Sequence, residues 1–84
     1  MTLHVYGPGC ANCARLERHT REALEGLGQS MPITKVTDLG AITDAGVMRT
    51  PALGVGDVLL FQGRVPEVAE LMTILADALK QQTP

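Results

Sequence analysis

Patterned hydrophobicity divides the chain into seven segments. Residues 2–6, TLHVY, combine β-branched and aromatic side chains and stop at Gly7-Pro8-Gly9, as a short strand closed by a turn does. From Ala11 to about Leu27 the period lengthens. Cys13, Leu16, Thr20, Ala23 and Leu27 recur at steps of three and four and so share one helical face, which Leu24 widens. Gly26 and Gly28 mark its end. Glu17–Arg21, Arg18–Glu22 and Arg21–Glu25 are i,i+4 pairs of opposite charge on the other, solvated side.

Pro32 then introduces ITKVT (33–37), an alternating strand. Asp38 suits the N-cap of a short helix through Leu39, Ile42 and Ala45 that ends at Gly46. PALGV (51–55) and VLLFQ (58–62) read as strands joined by Gly56-Asp57, the length and composition of a tight hairpin turn. Pro66 fits the first turn of a last helix, where its missing N–H costs nothing, and Val68, Leu71, Met72, Leu75 and Leu79 form its apolar stripe. The order is β-α-β-α-β-β-α. A strand–helix–strand start demands a crossover and a parallel pair, and the hairpin adds antiparallel strands. The expected fold is therefore α/β, a four-stranded mixed sheet flanked by helices.

At 84 residues with no linker, repeat or low-complexity segment, residues 1–84 read as a single domain. Such a chain buries only roughly 60–65% of the surface its unfolded form exposes. Apolar residues make up 45% of it, yet Tyr6 and Phe61 are its only aromatics apart from histidine, so the core must be aliphatic. The formal net charge is −2 with no basic run, which leaves no electrostatic footprint for nucleic acid. The scarcity of aromatics also removes the stacking platform of a single-strand binder. No apolar run approaches the ~20 residues that span a bilayer. MTLHVYGPGC offers neither a basic region nor a long enough apolar stretch for a signal peptide. A cytoplasmic protein without membrane or nucleic-acid partners is expected, and a monomer, since no oligomeric seam stands out.

Both cysteines lie in GPGCANC, residues 7–13. In a reducing compartment a CxxC pair is more often catalytic or metal-binding than structural. A staple here would enclose almost no chain, and loop-closure entropy gives it only about 2 kcal/mol before strain. Cys10 falls where turn gives way to helix, whereas Cys13 belongs to the buried stripe. Unsatisfied N–H groups and the positive end of the helix dipole favour a thiolate at Cys10. Lowering a thiol pKa from ~8.5 to ~7 raises the reactive thiolate at neutral pH about fifteenfold. The early charges of this helix include Arg15 and Arg18, while Glu22 and Glu25 crowd its far half. A metal-binding module is the alternative, because two thiolates suit Cu(I) or Zn(II). Small heavy-metal carriers resemble Met-x-Cys-x-x-Cys, however, and Pro8 stands at the Met position here. His4 and His19 are the only histidines for a larger set, and His19 falls off the cysteine face.

CxxC after a first strand, Thr50-Pro51 opening a later strand, a Gly-turn hairpin and a last helix together resemble the thioredoxin/glutaredoxin-like fold. GPGCANC, GVMRTPAL (46–53) and GRVPE (63–67) are similar more narrowly to the small redox-active-disulfide members of the thioredoxin superfamily. The resemblance spans essentially the whole chain. It implies thiol–disulfide exchange without a cofactor, with Cys10 as nucleophile and Cys13 as resolving thiol. It also implies a cis-proline at Pro51 that turns the Thr50 backbone toward the cysteines to bind substrate. The implied partners are a disulfide-containing protein or small-molecule substrate and a thiol reductase or other electron donor. Two features depart from better-known members: Ala11-Asn12 fill the CxxC, and no acid occupies the first strand, where thioredoxins bury a carboxylate. His4 and Tyr6 are that strand's titratable side chains, and Arg49 reads as a solvated surface residue.

Overall fold

A computed structural model describes residues 2–9, 11–56 and 58–81. Cys10 and Asp57 lie outside the described residues. The elements are β1 (Leu3–Tyr6), α1 (Ala11–Leu27), β2 (Ile33–Val36), α2 (Leu39–Asp44), β3 (Ala52–Val55), β4 (Val58–Gln62) and α3 (Val68–Gln81). They follow the order that the hydrophobic pattern predicts. The four strands form one sheet in the order β2-β1-β3-β4. β1 runs parallel to β2, with Leu3 opposite Ile33, and antiparallel to β3, with Leu3 opposite Val55.

Strand alternation sorts the core into two layers. Leu3, Val5, Leu53 and Val55 share one face of the sheet, where they pack with Leu16, Ala23 and Leu24 of α1 and Leu71, Leu75 and Ala78 of α3. Tyr6 and Ala52 point to the other face and meet Ile42 of α2 and Val47. Each fully buried leucine contributes roughly 1.5–3 kcal/mol, and Leu3, Leu16, Leu53, Leu71 and Leu75 are all at zero exposure. The expected stripe of α1 is buried at Cys13, Leu16, Thr20, Ala23 and Leu24, while Leu27 at its end is half-buried against the same core. Gly26 lets α3 approach, since a β-carbon there would stand 2.9 Å from Met72 Cε.

Both shorter-range stops work as glycine caps. Gly28 adopts φ +68° and donates to the Glu25 carbonyl, while Gln29 N–H reaches the Leu24 carbonyl. Gly46, at φ +84°, and Val47 close α2 in the same way on Thr43 and Ile42. These are Schellman closures, in which a left-handed residue turns two orphan carbonyls inward. Asp38 caps the start of α2, its carboxylate accepting from Ala41 N–H at 2.9 Å.

Four boundaries differ from the sequence reading, the first being β1, which begins at Leu3 and not at Thr2. β2 ends at Val36, one residue short of Thr37. β3 begins at Ala52, because Pro51 has no N–H to give the ladder, and its carbonyl instead accepts from Gly63 N–H at 2.8 Å. α3 begins at Val68, two residues past Pro66. Pro66 is buried ahead of the helix, with its carbonyl 3.0 Å from His19 Nδ1, and Glu67 supplies the first helical acceptor to Leu71 N–H.

Candidate functional site: Cys13, Gly7 and the Thr50–Pro51 turn

The site forms where β1 runs out. Gly7 N–H donates to the Val36 carbonyl at 2.9 Å, carrying the β1–β2 ladder one step beyond the strand. The chain then turns through Gly9, at φ +96°, and α1 begins at Ala11. Glycine is the residue that takes such a φ without steric cost. Cys10, the predicted nucleophile, lies outside the described residues, between these two. The first turn of α1 carries no acidic residue to oppose the positive end of its dipole.

Cys13 sits one turn into α1, 6% exposed. It packs directly on the Gly7 backbone: a β-carbon built at Gly7 would overlap Cys13 Sγ and stand 3.2 Å from its Cβ. The same imagined β-carbon would touch Thr50 Cβ at 3.9 Å. Cys13 and Thr50, singled out in sequence some forty residues apart, therefore converge on one glycine. The Thr50–Pro51 peptide bond is cis, and Pro51 is buried while Thr50 is exposed. Among the described residues, neither the Thr50 N–H nor its C=O makes a hydrogen bond. An exposed amide with both groups unused is able to pair with another chain's backbone.

A pocket of about 120 Å³ opens beside Cys13, bordered by Val5, Gly7, Glu17, Lys35 and Thr37 among others. It is roomy enough for water. Its charged rim was hidden in the sequence, where Glu17 pairs with Arg21 on the solvated side of α1. Arg21 Nη2 does donate to Glu17 Oε2 at 2.9 Å, but Lys35 Nζ of β2 also lies 3.4 Å from Glu17 Oε1. The Glu17 side chain is only 17% exposed. The Arg21 hydrogen bond foremost, and the Lys35 ammonium with it, hold its carboxyl below the ordinary value against the opposing effect of partial burial. Four residues beyond Cys13, Glu17 lies on the same flank of the helix. Spacing alone contained that signal, but not the lysine that β2 brings alongside.

The first strand's own titratable side chains are elsewhere. His4 stacks on Tyr6 with ring centroids 5.9 Å apart, and Tyr6 belongs to the cluster on the α2 side of the sheet. Val5, from the opposite face, is the β1 residue that borders the pocket. His19 is engaged with Pro66. Among the described residues, no three His, Cys, Asp or Glu side chains gather as a metal site. Likewise no helix among them is long and apolar enough to cross a membrane.

Comparison with known proteins agrees with this geometry. A family model described as a thioredoxin domain matches residues 1–76. A protein named thioredoxin from Methanothermobacter thermautotrophicus is 38% identical over 76 residues, covering 90% of this chain and 99% of its own. Another of that name, from Methanocaldococcus jannaschii, is 32% identical over 80 residues, covering 95% of this chain and 92% of its own. Sheet order, the turn at residues 50–51 and these matches lead to one conclusion: the chain belongs to the thioredoxin family and is a thiol–disulfide oxidoreductase.

Proposed function

We propose that Cys10 and Cys13 are the reversible dithiol of this oxidoreductase and that Thr50 and Pro51 form its substrate-binding turn. The observation that carries this reading is the meeting of Cys13 and Thr50 over Gly7. It supports a site in which a buried thiol and an unused backbone amide border the same short stretch of chain. The residues 1–84 act as a single domain, and no bound cofactor is needed.

The cycle conserves two electrons. The Cys10 thiolate attacks one sulfur of a substrate disulfide, forms a mixed disulfide and expels the other sulfur as a thiolate, which solvent protonates. Cys13 then gives up its proton toward the pocket beside it, which has room for water, attacks Cys10 sulfur and expels the second substrate thiolate. The substrate disulfide is reduced to two thiols, and the protein is left with a Cys10–Cys13 disulfide. A dithiol reductase or another thiol donor restores it by the reverse exchange. Partners are thus disulfide-bearing proteins or small molecules on one side and that donor on the other. We place the protein in the cytoplasm, where such donors keep it reduced, and treat it as a monomer.

Trapping tests the assignment. Cys13→Ser should accumulate a mixed disulfide through Cys10 with any accepted substrate, whereas Cys10→Ser should form none. Redox titration of the unsubstituted protein should show one reversible two-electron transition in the range of about −270 to −120 mV covered by CxxC proteins. Absence of the trapped species, or thiols shielded by stoichiometric Cu(I) or Zn(II), would replace this reading with the metal-binding one.

A further inference from the structure

The turn at Thr50 is held from below by the end of β4. Gln62 Oε1 lies 2.6 Å from Met48 N and 3.0 Å from Arg49 N, so one side-chain oxygen accepts from two consecutive backbone N–H groups. Both partners are donors. Only the oxygen of the amide can face them, which fixes the side chain's orientation without ambiguity. The next residue completes the hold: Gly63 N–H donates to the Pro51 carbonyl at 2.8 Å. Arg49 lays its aliphatic stem over Gly63, where an added β-carbon would stand 3.1 Å from both its Cβ and its Cδ. Residues 48, 49 and 51 are thereby tied to Gln62-Gly63, and residue 50 between them is left with its own N–H and C=O unengaged. Gln62 is anchored in turn, since it stands opposite Ala52 in the β3–β4 ladder.

We propose that Gln62 is a positioning residue: its side-chain oxygen pre-sets the Thr50 backbone for pairing with an extended peptide, so that discrimination between peptide-borne and small disulfides depends on Gln62. The inference rests on the reading of Thr50 as the substrate-binding turn. Met48 and Arg49 are both exposed, and without an acceptor their N–H groups would bond water in many arrangements. Fixing them beforehand lowers the ordering cost of binding a peptide backbone. A small disulfide without peptide groups makes no use of that order. Selectivity therefore lies in the ratio of the two reactions and not in thiol reactivity itself.

The test compares two substrates with one leaving group: an unstructured peptide whose single central cysteine carries thionitrobenzoate, and mercaptoethanol carrying the same group. Gln62→Met keeps length and removes the acceptor; Gln62→Glu keeps an acceptor oxygen. Gln62→Met should lower kcat/KM for the peptide about tenfold, the scale of one or two lost backbone hydrogen bonds, mainly through KM. Its reaction with the mercaptoethanol disulfide should stay within about twofold. Gln62→Glu should keep the peptide preference within about threefold of the unsubstituted protein. Amide hydrogen exchange at Met48 and Arg49 should speed up in Gln62→Met and not in Gln62→Glu, whatever the thiols do. An unchanged substrate ratio, equal loss of both reactions, or unchanged exchange at both amides would overturn the proposal. If the unsubstituted protein reacts with neither disulfide, the thiol assignment fails, and the positioning role with it; an intact thiol reaction with an unmoved ratio sinks the positioning role alone.

Discussion

Cys13 rests on Gly7 so closely that residue 7 has no room for a side chain. Gly7→Ala must either displace the Cys13 sulfur or bend the end of β1, whose N–H is tied to Val36. Overpacking of this kind costs about 1–3 kcal/mol. Denaturant unfolding should show that loss. If Cys13 resolves mixed disulfides as proposed, rapid alkylation should also show them living longer, because its sulfur has moved. Full stability with unaltered ring closure would mean that the packing seen at Gly7 is not what positions Cys13.

Glu17 should make stability depend on pH in one direction. Its folded carboxyl is held below its ordinary value of 4.5, so the stabilisation is fully present above that value and is lost as pH falls through the lower, folded one. Arg21 and Lys35 are 57% and 62% exposed, which keeps the whole effect near or below about 1 kcal/mol. Glu17→Gln should therefore unfold slightly more easily than the unsubstituted protein at pH 7, with the gap closing on acidification below 4.5. Urea melts at the two pH values measure it. A gap that widens in acid would contradict the ion-pair account.

Asp38 supplies the side-chain cap of α2, the helix that leads into the 47–51 turn. Asp38→Ala should cost about 1 kcal/mol, the usual value of an N-cap. Exchange at Ala41 N–H should rise with it, since that amide loses its acceptor. A melting temperature equal to the unsubstituted protein's would show that the six-residue helix is held by Ile42 burial alone.

Leu75 of α3 has no exposed surface and belongs to the core cluster that holds Leu16 of α1 and Leu3 and Leu53 of the central strands. Leu75→Ala should destabilise by about 2–5 kcal/mol. In so small a domain that is a large share of the total. Its thiol chemistry, read under conditions where the variant is still folded, should be unchanged because Leu75 does not line the pocket beside Cys13. A loss below about 1 kcal/mol would show a core that collapses readily around the deletion.

The fold was legible wherever neighbouring residues decide. The α1 stripe from Cys13 to Leu24, the Asp38 cap and the Gly56 hairpin turn, at φ +58°, each follow from a short window of sequence. Cys13 and Thr50 were singled out by motif, and the fold brings them to Gly7. The long-range partners were not legible. Gln62 reads as the polar end of a strand until β4 is laid beside β3 and its oxygen reaches Met48 and Arg49. Of three expected i,i+4 pairs on α1, among the described residues only Arg21–Glu17 forms, and β2 brings Lys35 to it. The pairing of Glu17 with Lys35 is set by register between elements, which no local period records.

The sheet order has a consequence for how the protein is made. β1 lies between β2 and β3, so the strand that precedes the CxxC segment waits for both of its neighbours to be synthesised. Val55, the partner of Leu3, leaves the ribosome on the order of seconds after it. Until then Cys13 has neither the Lys35 rim nor the Thr50 turn beside it, and its thiol is open to whatever oxidants and thiols surround the nascent chain. For that interval the redox poise of the surroundings, not the finished protein, decides the state of the Cys13 thiol.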